Sequence, residues 1–303
     1  MQTTREGLPP AEFNGTREGL PSTEFKGTRE ALPSTEFKGT GEGLSRSFGS
    51  VAWWGAYALL HKEVKRFRKV SVQTVLAPVI SAVLFLVVFQ QVLSGRIDLP
   101  GGISYAAFLV PGLAMMSLQQ NAFANSSSSL TQSKVSGNLV FLLLSPLPAW
   151  GWFLGYVGGG LVRGVVVGLS VWISTLPFVL TIPEHPLFTL AILAVSAWLM
   201  SALGLIAGLW AEKWDQLSVF QSFIINPFTF LAGVFFSVES LSEPWRTLAH
   251  FNPFFYMIDG LRYGFFGVSD ASAWVDLGVS LAFAFVVSGL ALALLGRGWR
   301  IRH

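Results

Sequence analysis

The residues of this chain that could do chemistry are few, and most are charges placed where charge is costly. Arg163 stands well inside an apolar run, Gly151 to Phe178, and Asp259 and Arg262 lie three apart in a stretch rich in phenylalanine, where they could pair on one helical face. An arginine at the centre of a bilayer helix costs at least ~2.5 kcal/mol on insertion scales, so Arg163 is expected to face protein or water and to have a partner. It reads either as a structural or snorkelling arginine or as part of a substrate path. None of these residues forms a catalytic constellation. His61, His185, His250 and His303 stand singly without metal-ligand spacing, and there is no cysteine. No glycine-rich loop ends in Gly-Lys followed by Ser or Thr, so the chain is not expected to bind ATP in the P-loop manner. No basic cluster interleaved with aromatics points to nucleic acid.

The elements that must position these residues are hydrophobic. Of 303 residues, 52% are hydrophobic and only 12% charged, which lies outside the range of soluble domains. Six runs are long enough to cross a bilayer: about Val72 to Leu93, Ser104 to Phe123, Gly151 to Phe178, Leu187 to Trp210, Leu217 to Phe236 and Trp274 to Leu295. Before the first, Trp53, Tyr57, Leu60, Val64 and Phe67 recur at helical spacing while Lys62, Lys65, Arg66, Arg68 and Lys69 crowd the other face, so residues 53–69 read as an amphipathic helix lying in the membrane plane. Residues 1–47 carry a 12-residue repeat (TREGLPPAEFNG, TREGLPSTEFKG, TREALPSTEFKG) with little to bury, and are expected to be a disordered tail preceding a transmembrane domain over 48–303.

Charge sets the orientation. With the N-terminus inside, the short cytoplasmic flanks receive Lys62, Lys65, Arg66, Arg68, Lys69, Lys134, Lys213, Arg297, Arg300 and Arg302, and the other side only Arg96, Arg246 and Arg262. Both termini are therefore predicted to be cytoplasmic. Within the third run, Gly151, Gly155 and Gly159, then Gly160, Gly164 and Gly168, recur every fourth residue and would let another helix approach closely.

Between the last two spans, residues 237–267 are neither loop nor span. Pro244 and Pro253 break the stretch, Glu239, Glu243, Arg246, Asp259 and Arg262 charge it, and its many phenylalanines keep it apolar, which suits a re-entrant pair of half-helices. Asn252-Pro253-Phe254, then Tyr256 and, six residues on, Arg262 resemble the C-terminal motif of the type-two ABC transporter permeases. Gly233-Val-Phe-Phe-Ser237 and, further on, Leu241, Pro244 and Trp245 are similar to that family's upstream elements, and the resemblance runs from about Tyr57 to the C-terminus.

The resemblance implies an all-α integral membrane protein of the bacterial inner membrane. It would act as a homodimer bound to two ATP-binding subunits that carry ATP and Mg, and export an amphipathic, lipid-linked or polysaccharide substrate. It also implies that the connection Asn125 to Pro148 holds a coupling helix, Ser133 to Leu144, whose docking face comprises Lys134, Asn138, Leu139, Phe141 and Leu142. Family members usually place acids before the leucines, where this chain has Val140 and Phe141. Pro253, Phe254, Tyr256, Asp259 and Arg262 would form the outward gate. From the residues alone, an ion-coupled secondary transporter and a membrane-embedded structural subunit remain alternatives.

Overall fold

A computed structural model describes residues 41–93, 102–145 and 147–299. The chain separates into two units, Met1–Gly41 and Glu42–His303, and the helices belong to the second. Residues 1–40 of the repeat tail, Arg96, Asp98, Pro146, Arg300 and Arg302 lie outside the described residues; from Gly41 the end of the repeat stretch is already helical.

Helix α1 (Gly41–Leu93) is continuous, so no break separates the two elements expected at 53–69 and 72–93. Helix α2 (Tyr105–Val135) starts at its Ser104 cap, as the second span should, and runs twelve residues past Phe123 into what reads as a connection. The misleading signal is the serine run. Some of its hydroxyls turn back onto the helix, Ser127 donating to Phe123 O (2.9 Å) and Ser133 to Ser129 O (3.0 Å), and others reach neighbouring helices, Ser126 to Tyr156 O and Ser129 to Glu63, so a polar segment remains helical and buried. The single helix expected over Ser133 to Leu144 is consequently divided: α3 (Leu139–Leu144) follows a turn at residues 136–138 with Gly137 at φ 71°.

Helices α4 (Ala149–Thr175) and α5 (Pro186–Trp210) match the third and fourth runs. The fifth run is divided. Helix α6 (Trp214–Phe220) passes through a π-helical turn, Gln221–Ile225, into α7 (Asn226–Leu231), and the chain leaves the helix before Phe236. Pro227 explains the wide turn, because its missing N–H cannot continue the α-helical ladder. Two helices then stand where half-helices are expected: α8 (Trp245–His250) and α9 (Pro253–Phe266). The Asn252 side chain caps α9 by accepting from Phe254 N, Pro253 occupies the first turn, and Gly267 at φ 66° ends it. Helix α10 (Ala273–Gly296) completes the chain.

Among the described residues, four helices are long and apolar enough to cross a membrane: α1, α4, α5 and α10. Helix α2 has the length, but Gln119, Gln120, Asn121 and Asn125 lower its hydropathy, and the α6–α7 run is short and split. The fold is an all-α, multi-span membrane architecture built around α2, whose apolar side chains join those of α5 and α9 in the main core.

The glycines of α4 form two stripes with different neighbours. A Cβ on Gly155 would meet Leu59, and one on Gly159 would meet Glu63, both on α1. Those on Gly160, Gly164 and Gly168 would press on Ser126, Ala122 and Leu118 of α2, the contact at Gly164 being 2.8 Å from Ala122 Cβ. Gly164→Leu is expected to destabilise the fold by about 1–3 kcal/mol through overpacking, whereas Gly278→Leu, with nothing within 4 Å of the added carbon, leaves it unchanged. Thermal unfolding in detergent would compare the two.

Candidate functional site

Three groups of side chains stand out, at the α3 end of the bundle, at mid-α2, and at the α8–α9 end. At the α3 end, two connections meet. Lys134, in the last turn of α2, donates from Nζ to Leu209 O and Ala211 O at the C-terminus of α5, where a cation also complements the helix dipole. The next turn is closed by Gln216 Oε1, which accepts from Glu212 N at 2.7 Å. Lys134 thus ties the second connection to the first and does not present its charge as part of an outer face. Leu139 is likewise buried and Leu142 half-buried, while Asn138 is exposed, Phe141 is 74% exposed and Leu144 is 77% exposed. The apolar surface of α3 is therefore centred on Phe141, Leu144 and Val140.

At mid-α2, the decisive residue is one the sequence reading passed over. Glu63 of α1 is fully buried, accepts from Ser129 Oγ at 2.7 Å, and has Arg66 Nη2 at 3.2 Å and Lys62 Nζ at 3.6 Å. Arg66 also donates to Asn125, at 2.9 Å to O and 3.1 Å to Oδ1. One turn along α2, Asn121 Oδ1 accepts from Arg163 Nη2 (3.0 Å) and Nε (3.3 Å), so the expected partner of Arg163 is an amide and not an acid. The missed signal was present in the sequence: Glu63 is the single acid within the basic run of α1, three residues from Arg66.

At the α8–α9 end, Asp259 and Arg262 lie on one buried face of α9 but form no ion pair within 4 Å; each turns to backbone instead. Asp259 accepts from Asp270 N (2.9 Å) and Ala271 N (2.8 Å), fixing the turn before α10. Arg262 donates to Gly233 O and lies 3.8 Å over the Phe108 ring, a cation–π contact in a desolvated setting. Asp270 in turn accepts from Ser237 Oγ (2.9 Å) and Val238 N (3.0 Å), and Tyr105 of α2 donates to Phe235 O at 2.9 Å. Phe254 packs edge-on against Phe228, and Tyr256 donates to His250 O at 2.9 Å. Nearer solvent, Thr247 donates to Glu243 at 2.6 Å and holds that exposed carboxyl below its ordinary range, while Arg246 pairs with Glu239 at 2.6 Å. The motif residues thus act as a clamp, joining α9 to α2, to the segment after α7 and to the start of α10.

Residues 56–266 match the family described as ABC-2 type transporter. The chain belongs to that family. The Inner membrane transport permease YadH of Escherichia coli strain K12 is 39% identical over 250 residues, covering 82% of this chain and 98% of the relative, and that of Shigella flexneri aligns equally. Nodulation protein J of Rhizobium leguminosarum bv. viciae is 25% identical over 207 residues, 68% of this chain and 79% of that protein. The chain is accordingly a multi-pass inner-membrane permease subunit of an ABC transporter, and not itself the catalytic subunit. Among the described residues no group of three or more His, Cys, Asp or Glu could hold a metal ion.

For this permease, Arg66→Leu should cost about 3 kcal/mol because it leaves the buried Glu63 carboxylate without its main partner. Adding Glu63→Gln should recover most of the loss. A double-mutant cycle on detergent-solubilised protein reads both.

Proposed function

We propose that this permease forms a dimeric export path with a second permease, in the first instance another copy of itself, and is driven by two soluble ATP-binding subunits docked at the α3 end. The observation that carries the docking assignment is the exposed apolar surface of α3, where Phe141, Leu144 and Val140 stand out from a helix of six residues with no covering element among the described residues. A contiguous exposed apolar patch marks a protein or membrane contact. ATP and Mg would be held entirely by the docked subunits. Lys134 supports the mechanical part of the reading, since it binds α2 to the end of α5 and so makes the two connections one lever.

In this reading the α3 end is cytoplasmic, as the basic flanks of the sequence favour, and both termini lie on that side. Residues 217–236 and α2 complete six spans, and α8–α9 is a re-entrant hairpin that gates the outward end. The cargo is an amphipathic, lipid-linked or polysaccharide molecule that passes between the two permeases. The clamp at Arg262 is consistent with a gate that moves as one piece, because its bonds join α9 to both neighbouring segments.

Phe141→Asp places a charge at the centre of the apolar surface, and is expected to abolish recovery of the ATP-binding subunit in a mild-detergent pull-down while leaving membrane insertion and the permease's own stability intact. Undiminished recovery of a P-loop subunit would move the docking site elsewhere. Vanadate-sensitive ATP hydrolysis by the purified wild-type assembly would accompany the expected result.

A further inference from the structure

Helices α5 and α10 begin side by side and leave a groove of about 370 Å³ at their N-terminal ends, lined by Glu184, His185, Phe188, Tyr263 and Trp274 among others. Its walls are held in place. Glu184 N and His185 N donate to Phe265 O (3.3 Å) and Gly264 O (3.0 Å) near the end of α9, and the Tyr263 ring stacks on His185 at 5.0 Å and meets Phe188 edge-on at 5.2 Å. Glu184 Oε2 rests against Gly267, 2.8 Å from where a Cβ would stand. Glu184 is exposed and forms no ion pair among the described residues, Trp274 is 80% exposed, and neither lysine nor arginine lines the groove. An unpaired carboxylate beside an open indole, with no competing cation, suits an organic ammonium group.

A second groove says what carries the ammonium. It measures about 250 Å³ and is lined by Ala194, Val195 and Trp198 of α5 and by Leu281 and Phe285 of α10, with no charged residue. On both helices it lies on the face of the first groove. Leu187 and Ala194 are seven residues apart, as are Trp274 and Leu281, so each pair shares one side of its helix and the second groove stands about 10 Å further along the two parallel axes. Between the grooves the same faces bear Ala191 and Gly278, and a carbon added to Gly278 would meet nothing within 4 Å. The path is therefore open. Trp198 closes its inner end, its Nε1 donating to Ser288 Oγ at 2.8 Å.

A charged mouth followed by an uncharged apolar channel, along helices that span a membrane, has the polarity of a lipid molecule. We propose that the two grooves hold one membrane lipid whose headgroup bears an ammonium, which sits on Glu184 and Trp274 while an acyl chain runs past Gly278 to Trp198. The phosphate of such a lipid meets the start of α5 and of α10, where negative charge is favoured by the helix dipoles. The site does not depend on the docking of ATP-binding subunits. Its assignment to the outer leaflet rests on the export reading above.

The test uses the full-length chain purified in mild detergent, with bound lipid counted by native mass spectrometry as phosphatidylethanolamine or phosphatidylglycerol of matched chains is added. Phosphatidylethanolamine is expected to be retained over phosphatidylglycerol, which shares its phosphate but lacks the ammonium. Glu184→Gln should weaken that retention about fivefold, the most that an exposed ion pair contributes, and Trp274→Leu about threefold. Glu184→Lys should reverse the order of the two lipids, an outcome that loss of structure would not produce. Glu243→Gln removes another exposed acid at the same end of the bundle and should leave retention unchanged. Ala194→Phe obstructs the inner groove and should lower retention of both lipids without altering their order. Equal retention of the two lipids by the wild type, no effect of Glu184→Gln, or an equal loss with Glu243→Gln would overturn the headgroup site. Undiminished retention by Ala194→Phe would overturn the path of the chain. Because no ATP-binding subunit is present, these outcomes are independent of the pull-down with Phe141→Asp.

Discussion

The structure depends on burying the polar side chains of α2 with most of their hydrogen bonds made. A helix at the centre of a membrane bundle that carries Gln119, Gln120, Asn121, Asn125 and a run of serines has no water to satisfy them. Each longer side chain therefore reaches a different neighbour: Gln119 meets Thr229 of α7 and Met257 of α9, Gln120 meets Asn226, Asn121 holds Arg163 of α4, and Asn125 holds Arg66 of α1. Ser127, Ser128 and Ser133 are satisfied within the helix, whereas Ser126 reaches Tyr156 O at 3.1 Å and Ser129 donates to Glu63 of α1. These bonds set which face of α2 meets which helix, a choice that apolar packing alone would leave loosely determined. The glycines of α4 make the same choice from the other side, since only their lack of a side chain lets α4 lie against α2 at this distance.

That arrangement explains what could be read from the sequence. The long apolar helices α4, α5 and α10 were legible because hydropathy and length define them, and the ends of α9 because Asn252, Pro253 and Gly267 are local signals that need no tertiary context. Helix α2 misled because its later half is polar, and polarity reads as loop unless the partners are known. The same blindness hid Glu63. In a basic run a single acid looks like noise, and only the position of Ser129 and Arg66 around it shows a buried carboxylate held by three groups. Asp259 and Arg262 illustrate a further limit. Spacing placed them on one face correctly, but it could not tell that each would find a backbone partner closer than the other.

The clamp around α9 is a consequence of chain breaks. After α7 the backbone leaves its helix, and carbonyls such as those of Gly233 and Phe235 lose their helical donors. Arg262 and Tyr105 supply replacements, while Asp270 and Asp259 accept from the exposed N–H groups of the turns on either side. Charged residues at this end are thus explained first by backbone satisfaction. The arginine of the family motif need not touch cargo to be indispensable, because without it a buried carbonyl and the aromatic face of Phe108 would both be unmatched.

Seen from α2, the two ends of the bundle are mechanically connected. Its last turn holds α5 through Lys134, its middle holds α1 and α4 through Asn125 and Asn121, and its first turns hold the segment after α7 through Tyr105 and meet α9 through Phe108 and Arg262. A push delivered at α3 would enter α2 across a turn of three residues and would meet hydrogen bonds to successive neighbours along its length. In the export reading such a displacement would pass along α2 to an element that can yield. The π-helical turn at Gln221–Ile225 is one such element beside α2, because its widened ladder precedes Pro227, and its neighbour α7 meets α2 through Asn226 and Thr229. In the export reading, that is where motion of the α3 end would become motion of the outward clamp.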